Sequence, residues 1–169
     1  MGTLLLIFFA KITEVALTTI RTVYITKGEK LYGSLIGFVE VIIWLNVVGV
    51  VLVNIQENPA KMIVYALGFS CGNYVGCIIE EKLAVGLLTI NTITSGADGE
   101  KLAEILREKN IGVTIINAEG INEDKKMLII HVKRKRKQEV IKIIANTKIN
   151  AVTTINDVRT VYGGYGLKK

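Results

Sequence analysis

Residues 31–53 read LYGSLIGFVEVIIWLNVVGVVLV, an apolar run that is interrupted by one charged residue, Glu40. A helix of about 20 apolar residues is long enough to cross the hydrocarbon core of a bilayer. Two more apolar runs of similar length flank this one, at about residues 2–22 and 62–79. The pattern therefore predicts a membrane α-helical bundle of three transmembrane helices in residues 1–85.

The composition and the charge divide the chain at the same place. Half of the residues are hydrophobic and the mean hydropathy is +0.44, both high for a soluble protein. Residues 1–85 carry as many acidic as basic side chains, so the net charge of +6 belongs entirely to residues 86–169. A basic domain beside a bilayer attracts anionic lipid headgroups or a small anionic ligand. Nucleic acid is not expected as a partner, because aromatic residues do not interleave with the basic ones.

Basic residues in the connecting segments predict the orientation in the membrane. Arg21, Lys27 and Lys30 surround the first loop, whereas the second loop carries Lys61 alone. Cytoplasmic loops are enriched in lysine and arginine, and the third helix leads into the basic domain. We therefore expect a multi-pass protein of the cell membrane with its N-terminus outside and residues 86–169 in the cytoplasm.

Five polar residues lie within the membrane half and form a candidate intramembrane polar site: Lys11, Glu14, Arg21, Glu40 and Asn73. The first three share one stripe of the first helix, while the two glutamates and Asn73 are expected at one depth near the midplane. Ionisable groups at that depth are costly unless they are paired. One interpretation is buried ion pairs that fix the helix register. The other is a proton or cation site between Glu14 and Glu40 that Lys11 tunes.

Glycines recur at helical spacing in two of the apolar runs. Gly68, Gly72 and Gly76 lie in the third run, and Gly33 and Gly37 open the second. Faces of small residues let helix backbones approach closely in lipid. These faces serve either packing within one chain or the seam of a homo-oligomer, and the sequence favours self-association because three helices enclose little space.

From residue 87 the pattern changes to short strands that alternate with amphipathic helices. Strands are expected at 88–94, 113–117, 126–133 and 151–155, and helices at 100–109 and 138–146. The order β-α-β-β-α-β is that of the split βαβ arrangement. Residues 86–169 are therefore predicted to form an α+β ferredoxin-like (βαββαβ) soluble domain.

Three features of this domain are candidates for a ligand-binding site. The basic run 133–137 is either a solvated turn or a surface that holds acidic lipid or phosphate. The glycines near 112 and 120 are expected to serve backbone geometry, and the tail after 157 either closes over a ligand, docks on another subunit or forms ordinary turns. The candidate ligand-binding residues are Gly112, Thr114, Gly120, Lys133, Arg134, Arg136, Asp157, Arg159, Gly163 and Gly164.

The sequence favours a binding protein over an enzyme. Cys71 and Cys77 face different sides of a helix, and His131 is the one histidine, so no set of metal ligands is expected. No serine, cysteine and histidine are grouped as a nucleophile and its base, and no glycine-rich phosphate loop is present. We therefore expect no catalytic residues, no metal and no cofactor.

Several segments of the membrane half resemble uncharacterised protein family 0316, which comprises bacterial multi-pass membrane proteins. These segments are TIR at 19–21, GFVE at 37–40, VYALGF at 64–69, GNYVG at 72–76 and IEEKLA at 79–84. The soluble half is similar to the domain of unknown function 2179, which is also found at the C-terminus of YitT-type membrane proteins. Its matching segments are 112–114, the turn at Gly120, and 157–159 with 163–164. The resemblance implies a plasma-membrane protein with a cytosolic accessory domain.

Two hypotheses about function follow from these features. The first is a membrane-anchored sensor or regulatory protein whose cytosolic domain binds a small anionic ligand, such as a nucleotide, and forms a homo-oligomer. The alternative is a small oligomeric transporter or channel subunit that uses the intramembrane carboxylates of Glu14 and Glu40.

Overall fold

The computed structural model describes residues 2–53, 56, 58–159, 161, 163 and 165. The chain divides into two compact units, residues 1–84 and 85–169. The first unit is helical, and the second contains a four-stranded sheet.

The membrane unit consists of three helices, each long and apolar enough to cross a bilayer. They are α1 (Gly2–Thr26), α2 (Lys30–Leu52) and α3 (Ala60–Leu83). At about 1.5 Å of rise per residue, helices of 25, 23 and 24 residues exceed the roughly 30 Å of hydrocarbon that they must span. The prediction of three transmembrane helices is confirmed, although α1 extends beyond its expected end until the turn at Gly28, whose φ is +83°.

Helix α1 packs against both of its neighbours, whereas α2 and α3 make few contacts with each other. The buried residues of α3 are its three glycines, Gly68, Gly72 and Gly76. A Cβ atom on Gly72 would lie 2.7 Å from the Cβ of Val15 on α1, so the two backbones meet at this face. Packing within one chain, one of the two uses that the sequence left open for these glycines, is therefore confirmed, because α1 of the same chain occupies their face.

The soluble unit has the predicted order of elements. The strands are β1 (Leu87–Ser95), β2 (Val113–Glu119), β3 (Asp124–Lys133) and β4 (Val152–Val158), and the helices are α4 (Gly96–Glu108) and α5 (Lys137–Asn146), which follows a short 3₁₀ turn at Arg134–Arg136. The sheet order is β2-β3-β1-β4, and each neighbouring pair is antiparallel. The ferredoxin-like prediction is confirmed.

The core of the soluble unit lies between the sheet and its two helices. Alternate residues of the two central strands are buried, and Ile90 on β1 and Ile130 on β3 are fully buried. They pack against three residues of the helices: Leu102, Leu106 and Val140. Side chains at alternate positions of a strand point to opposite faces. The residues between them, which include His131, therefore belong to the open face of the sheet.

The fourth strand is longer than the sequence predicted. Asp157 and Val158 pair with Leu88 and Leu87 of β1, so they belong to β4 rather than to a tail. The first part of the predicted closing segment is therefore a fixed part of the sheet.

Candidate functional site

A cleft of about 440 Å³ opens beside the start of β2 and the end of β3. A smaller depression of about 210 Å³ adjoins it and shares Ile111, Gly112, His131 and Tyr165 with it. The basic residues that line the two spaces are Arg107, His131, Lys133 and Arg136. The combined site is therefore strongly cationic and suits an anion.

His131 is held on the cleft side by the pairing of the central strands. It lies opposite Thr89 of β1, and its Nδ1 atom is 2.8 Å from the hydroxyl oxygen of Thr89. When that hydroxyl donates to Nδ1, the neutral ring carries its proton on Nε2 and presents a donor at the second nitrogen. The strand pairing thus orients a polar ring at the wall of the cleft.

Gly112 and Thr114 lie on the β2 side of the same cleft. Thr114 pairs with Ile129 of β3, two residues before His131, so the two polar side chains belong to one face. A Cβ atom on Gly112 would lie 3.4 Å from the Cβ of Tyr165, whose hydroxyl donates to Asn110 Oδ1 at 3.5 Å. Tyr165 therefore lies directly beside Gly112 at this part of the cleft.

Two arginines at the cleft already hold backbone oxygens. Arg107 Nη2 donates to the carbonyl of Val113 at 3.2 Å, and Arg136 donates to the carbonyls of Lys109 and Asn110 at 3.1 and 3.3 Å. Arg136 thereby ties the start of α5 to the loop between α4 and β2.

Arg136 is also paired with Glu139, one turn further along α5. The Nε and Nη2 atoms of Arg136 each lie 2.8 Å from a carboxylate oxygen of Glu139. This hydrogen bonding lowers the pKa of Glu139 and raises the pKa of Arg136. Much of the positive charge of Arg136 is therefore neutralised within the domain, and its main role is to hold the rim of the cleft.

The cleft and the adjoining depression contain four of the ten residues that the sequence proposed for ligand binding. Gly112 and Thr114 line the cleft, and Lys133 and Arg136 line the depression. Gly120 lies in the β2–β3 turn at the other end of the sheet, where its N–H donates to the carbonyl of Glu123. Arg134 begins the 3₁₀ turn, Asp157 is in β4, Arg159 follows β4, and Gly163 has a φ of +77°. Gly164 lies outside the described residues.

Sequence reasoning missed three polar residues that line the cleft: Arg107, His131 and Tyr165. The alternation of His131 with the buried residues Ile130 and Val132 was a usable signal, because it assigns the imidazole to the face away from the helices. The position of Tyr165 depends on its contacts with Asn110 and Gly112, which are distant in the chain, so the sequence offered no local signal for it.

Within the membrane unit, Lys11 and Glu14 form a buried ion pair on α1, with exposed fractions of 3% and 6%. The ammonium of Lys11 also lies 4.3 Å from the ring centre of Tyr65 and 5.6 Å from that of Phe69, both on α3. Gly68 provides the space for the stem of Lys11. The cation is therefore stabilised by a carboxylate and two aromatic faces.

A second ion pair joins α1 to α2. Arg21 Nε lies 2.7 Å from one carboxylate oxygen of Glu40, and Nη2 lies 3.3 Å from the other. Each glutamate thus has its own cation, as in the structural interpretation of these charges. Asn73 joins neither pair, because its exposed side chain donates to the carbonyl of Phe69.

The expectation that Glu14 and Glu40 lie at one depth is wrong. Gly33 meets Ile25 and Gly37 meets Arg21 across the α1–α2 contact, which defines an antiparallel register. Continued along the helices, that register sets Glu40 one turn, or about 6 Å, from the level of Glu14. The estimate from the sequence failed because α1 continues to Thr26, beyond its expected end at about residue 22, whereas α2 begins close to its expected start.

No group of three or more histidine, cysteine, aspartate or glutamate side chains in the described part of the chain is arranged to hold a metal ion.

Two family models match the chain. Residues 19–77 match a domain of unknown function (DUF5698), and residues 111–163 match an uncharacterized protein conserved in bacteria (DUF2179). Among solved structures, a functionally unknown protein from Pediococcus pentosaceus is 15% identical with a TM-score of 0.44, covering 48% of this chain and all of the other. CPII of Thiomonas intermedia K12, bound to ADP, AMP and acetate, is 18% identical with a TM-score of 0.40, covering 44% of this chain and 87% of its own.

Much closer relatives are found among bacterial proteins. A UPF0316 protein of Clostridium botulinum strain 657 is 67% identical over 163 residues, which are 96% of each chain. A UPF0316 protein of Acetivibrio thermocellus is 39% identical over 160 residues, which are 95% of this chain and 77% of the relative. Identity at this level across both units means that the chain belongs to the UPF0316 family.

Proposed function

We propose that this protein is a membrane-anchored sensor or regulatory protein whose soluble domain binds a small anionic ligand in the cleft beside β2 and β3. The observation that carries the proposal is the convergence of basic side chains on two adjoining spaces. Arg107 and His131 line the cleft, and His131 and Lys133 line the depression beside it. The role is binding rather than catalysis.

The size and chemistry of the cleft support a phosphate-bearing ligand such as a nucleotide. Its volume of about 440 Å³ falls within the range of about 300–1,000 Å³ that is usual for small-molecule sites. His131 and Lys133 alternate on one strand and so share a face, while Arg107 approaches from the end of α4. Apolar walls at Ile111 and Ile129 offer contact to an uncharged part of the ligand.

The proposal includes the orientation and the assembly of the protein. The turn between α1 and α2 carries Lys27 and Lys30, which favours its placement in the cytoplasm together with the soluble domain. Cytoplasmic exposure gives the cleft access to soluble phosphorylated metabolites. A homo-oligomer would allow ligand binding in one subunit to be transmitted to others.

Calorimetry on the full-length protein in lipid nanodiscs tests the binding proposal. The titrants are nucleoside mono-, di- and triphosphates and inorganic phosphate. We expect at least one nucleotide to bind, and the double variant Arg107→Gln/His131→Gln to weaken that binding by about tenfold or more, since charge-assisted hydrogen bonds to phosphate are lost.

The matched control for this experiment is Lys101→Gln/Lys142→Gln, which removes charge from exposed positions on α4 and α5 outside the cleft. This control should bind like the unaltered protein. Absence of binding by every anion at millimolar concentration, or equal weakening in the control, would overturn the proposal.

The alternative of a transporter or channel subunit gains no specific support from the membrane unit. The carboxylates of Glu14 and Glu40 are each paired with a cation, and the two lie at different levels. An ion site would need at least one of these carboxylates to be available.

A further inference from the structure

The charge of the soluble unit is concentrated at one end of its sheet. Leu87 begins β1 at this end, and the strand register places Lys133 of β3 and Val158 of β4 beside it. The basic run 133–137 starts here, and α4 ends nearby. We call this region, residues 133–137 with Arg107, Lys109 and Arg159, the basic end. The basic end has eight basic side chains. Three acidic side chains lie at the same end of the fold: Glu108, Glu139 and Asp157.

The opposite end of the sheet is close to neutral. It contains the β2–β3 turn and the start of α4, where acidic and basic residues alternate. Glu100 pairs with Lys126, and Glu123 pairs with Lys125. The two ends of one small domain therefore differ strongly in charge, and such polarity orients a protein in an external field.

Within the basic run, arginine and lysine are used differently. Arg136 is committed to Glu139 and to two backbone carbonyls. In contrast, Lys133 and Lys135 are exposed, Lys137 is half-buried, and no carboxylate in the described part of the chain pairs with any of the three. The lysines thus retain their charge for a partner outside the domain.

The basic run begins close to the point where the chain leaves the last membrane helix. The N–H of Arg134 donates to the carbonyl of Gly86 at 3.0 Å. Gly86 is three residues past Leu83, the last residue of α3, and three residues span at most about 10 Å. This connection is about as long as one Debye length at physiological ionic strength, which supports a contact between the basic run and the headgroup potential.

We propose that the basic end docks on anionic lipid headgroups of the membrane in which the protein resides. The lysines bind by charge rather than by a shaped pocket, so the contact is sensitive to salt and insensitive to headgroup structure. The basic end shares Arg107, Lys133 and Arg136 with the cleft and the depression beside it, whereas Lys135 and Lys137 line neither space, so these two lysines test the docking independently of the cleft.

A fluorophore that reports local polarity tests the docking in the full-length protein. In a background of Cys71→Ala and Cys77→Ala, a nitrobenzoxadiazole probe is attached at Gln138→Cys beside the basic run, or at Ile121→Cys in the turn at the far end of the sheet. The proteins are placed in nanodiscs of phosphatidylcholine alone or with about one-third phosphatidylglycerol. We expect a blue shift with phosphatidylglycerol at position 138 and none at position 121, with the shift lost in about 0.5 M salt.

Charge-matched variants connect the shift to the lysines. Lys135→Gln/Lys137→Gln should lower the amplitude of the shift by about half or more, since each basic residue contributes to the attraction. Lys101→Gln/Lys148→Gln, which removes the same charge from exposed positions on α4 and after α5, should leave it unchanged. Nucleotide binding should survive Lys135→Gln/Lys137→Gln, so that failure of docking and failure of the cleft are distinguished.

Three results would overturn the docking proposal. The first is equal emission at position 138 in both lipid compositions. The second is an equal loss of the shift in the two charge variants. The third is a shift in phosphatidylcholine nanodiscs on addition of inorganic phosphate at matched ionic strength, which would identify a soluble anion as the partner of the basic end.

Discussion

Lys11 carries a charge in the apolar interior of the membrane unit. Its partners are the carboxylate of Glu14 and the ring faces of Tyr65 and Phe69. The residue pattern alone left two uses for these charges open, because helical spacing shows that Lys11 and Glu14 can meet but does not show what else approaches them. The structure adds the aromatic rings, which α3 contributes through packing at Gly68.

Removal of one member of this pair should be more harmful than removal of both. Glu14→Gln leaves the buried ammonium of Lys11 without its carboxylate, which is expected to lower the free energy of unfolding by about 3–5 kcal/mol. The double variant Lys11→Met/Glu14→Leu should recover most of that loss because it leaves no buried charge. Thermal unfolding in detergent micelles, monitored by size-exclusion fluorescence, compares the stability of the two variants with that of the unaltered protein. A double variant that loses as much stability as Glu14→Gln, or more, would contradict this coupling.

At the scale of elements, the periodicity of the sequence predicted every helix and strand of the described fold, but not how the membrane helices pair. A face of small residues indicates close approach and does not identify the neighbour. The sequence therefore favoured a second copy of the chain as the neighbour of Gly68, Gly72 and Gly76, although packing within one chain was also open. The order of the strands was predictable because the βαββαβ arrangement has few alternatives.

The close contact of α3 with α1 predicts opposite effects for one substitution at two helical glycines. At Gly72, a Cβ atom would lie 2.7 Å from Val15 Cβ and 3.1 Å from the Ile12 backbone, so Gly72→Ala must force the helices apart. A Cβ atom added at Gly49 on α2 would have no atom within 4 Å apart from the adjacent backbone of its own helix. Gly49→Ala should therefore stabilise the helix by up to about 1 kcal/mol through helix propensity alone.

The melting temperatures of Gly72→Ala and Gly49→Ala in detergent micelles test these opposite effects. We expect Gly72→Ala to lower the free energy of unfolding by about 1–3 kcal/mol, as overpacking does. Equal stability of the two alanine variants would mean that α1 does not pack closely against Gly72 of α3.

At the scale of the whole molecule, the sequence predicted what kind of site to expect but not its position. The basic charge concentrated in residues 86–169 predicted that the ligand is an anion. The position of the cleft was not predictable in this way, because it is lined by residues from separate elements: Arg107, Thr114, His131 and Tyr165. They converge because β2 pairs with β3 and the tail returns to Gly112. The convergence of residues from separate elements depends on tertiary contacts, which no local pattern encodes.

The orientation of the chain in the membrane is the remaining prediction at this scale. Two probes distinguish the sides: Glu29→Cys in the turn between α1 and α2, and Asn58→Cys between α2 and α3, each with Cys71 and Cys77 replaced by alanine. The basic residues around the first turn favour its retention in the cytoplasm. A membrane-impermeant maleimide added to intact cells should therefore label position 58, whereas position 29 should react only after permeabilisation. The reverse pattern would place the soluble domain outside the cell, where the cleft beside β2 and β3 would have no access to cytoplasmic nucleotides.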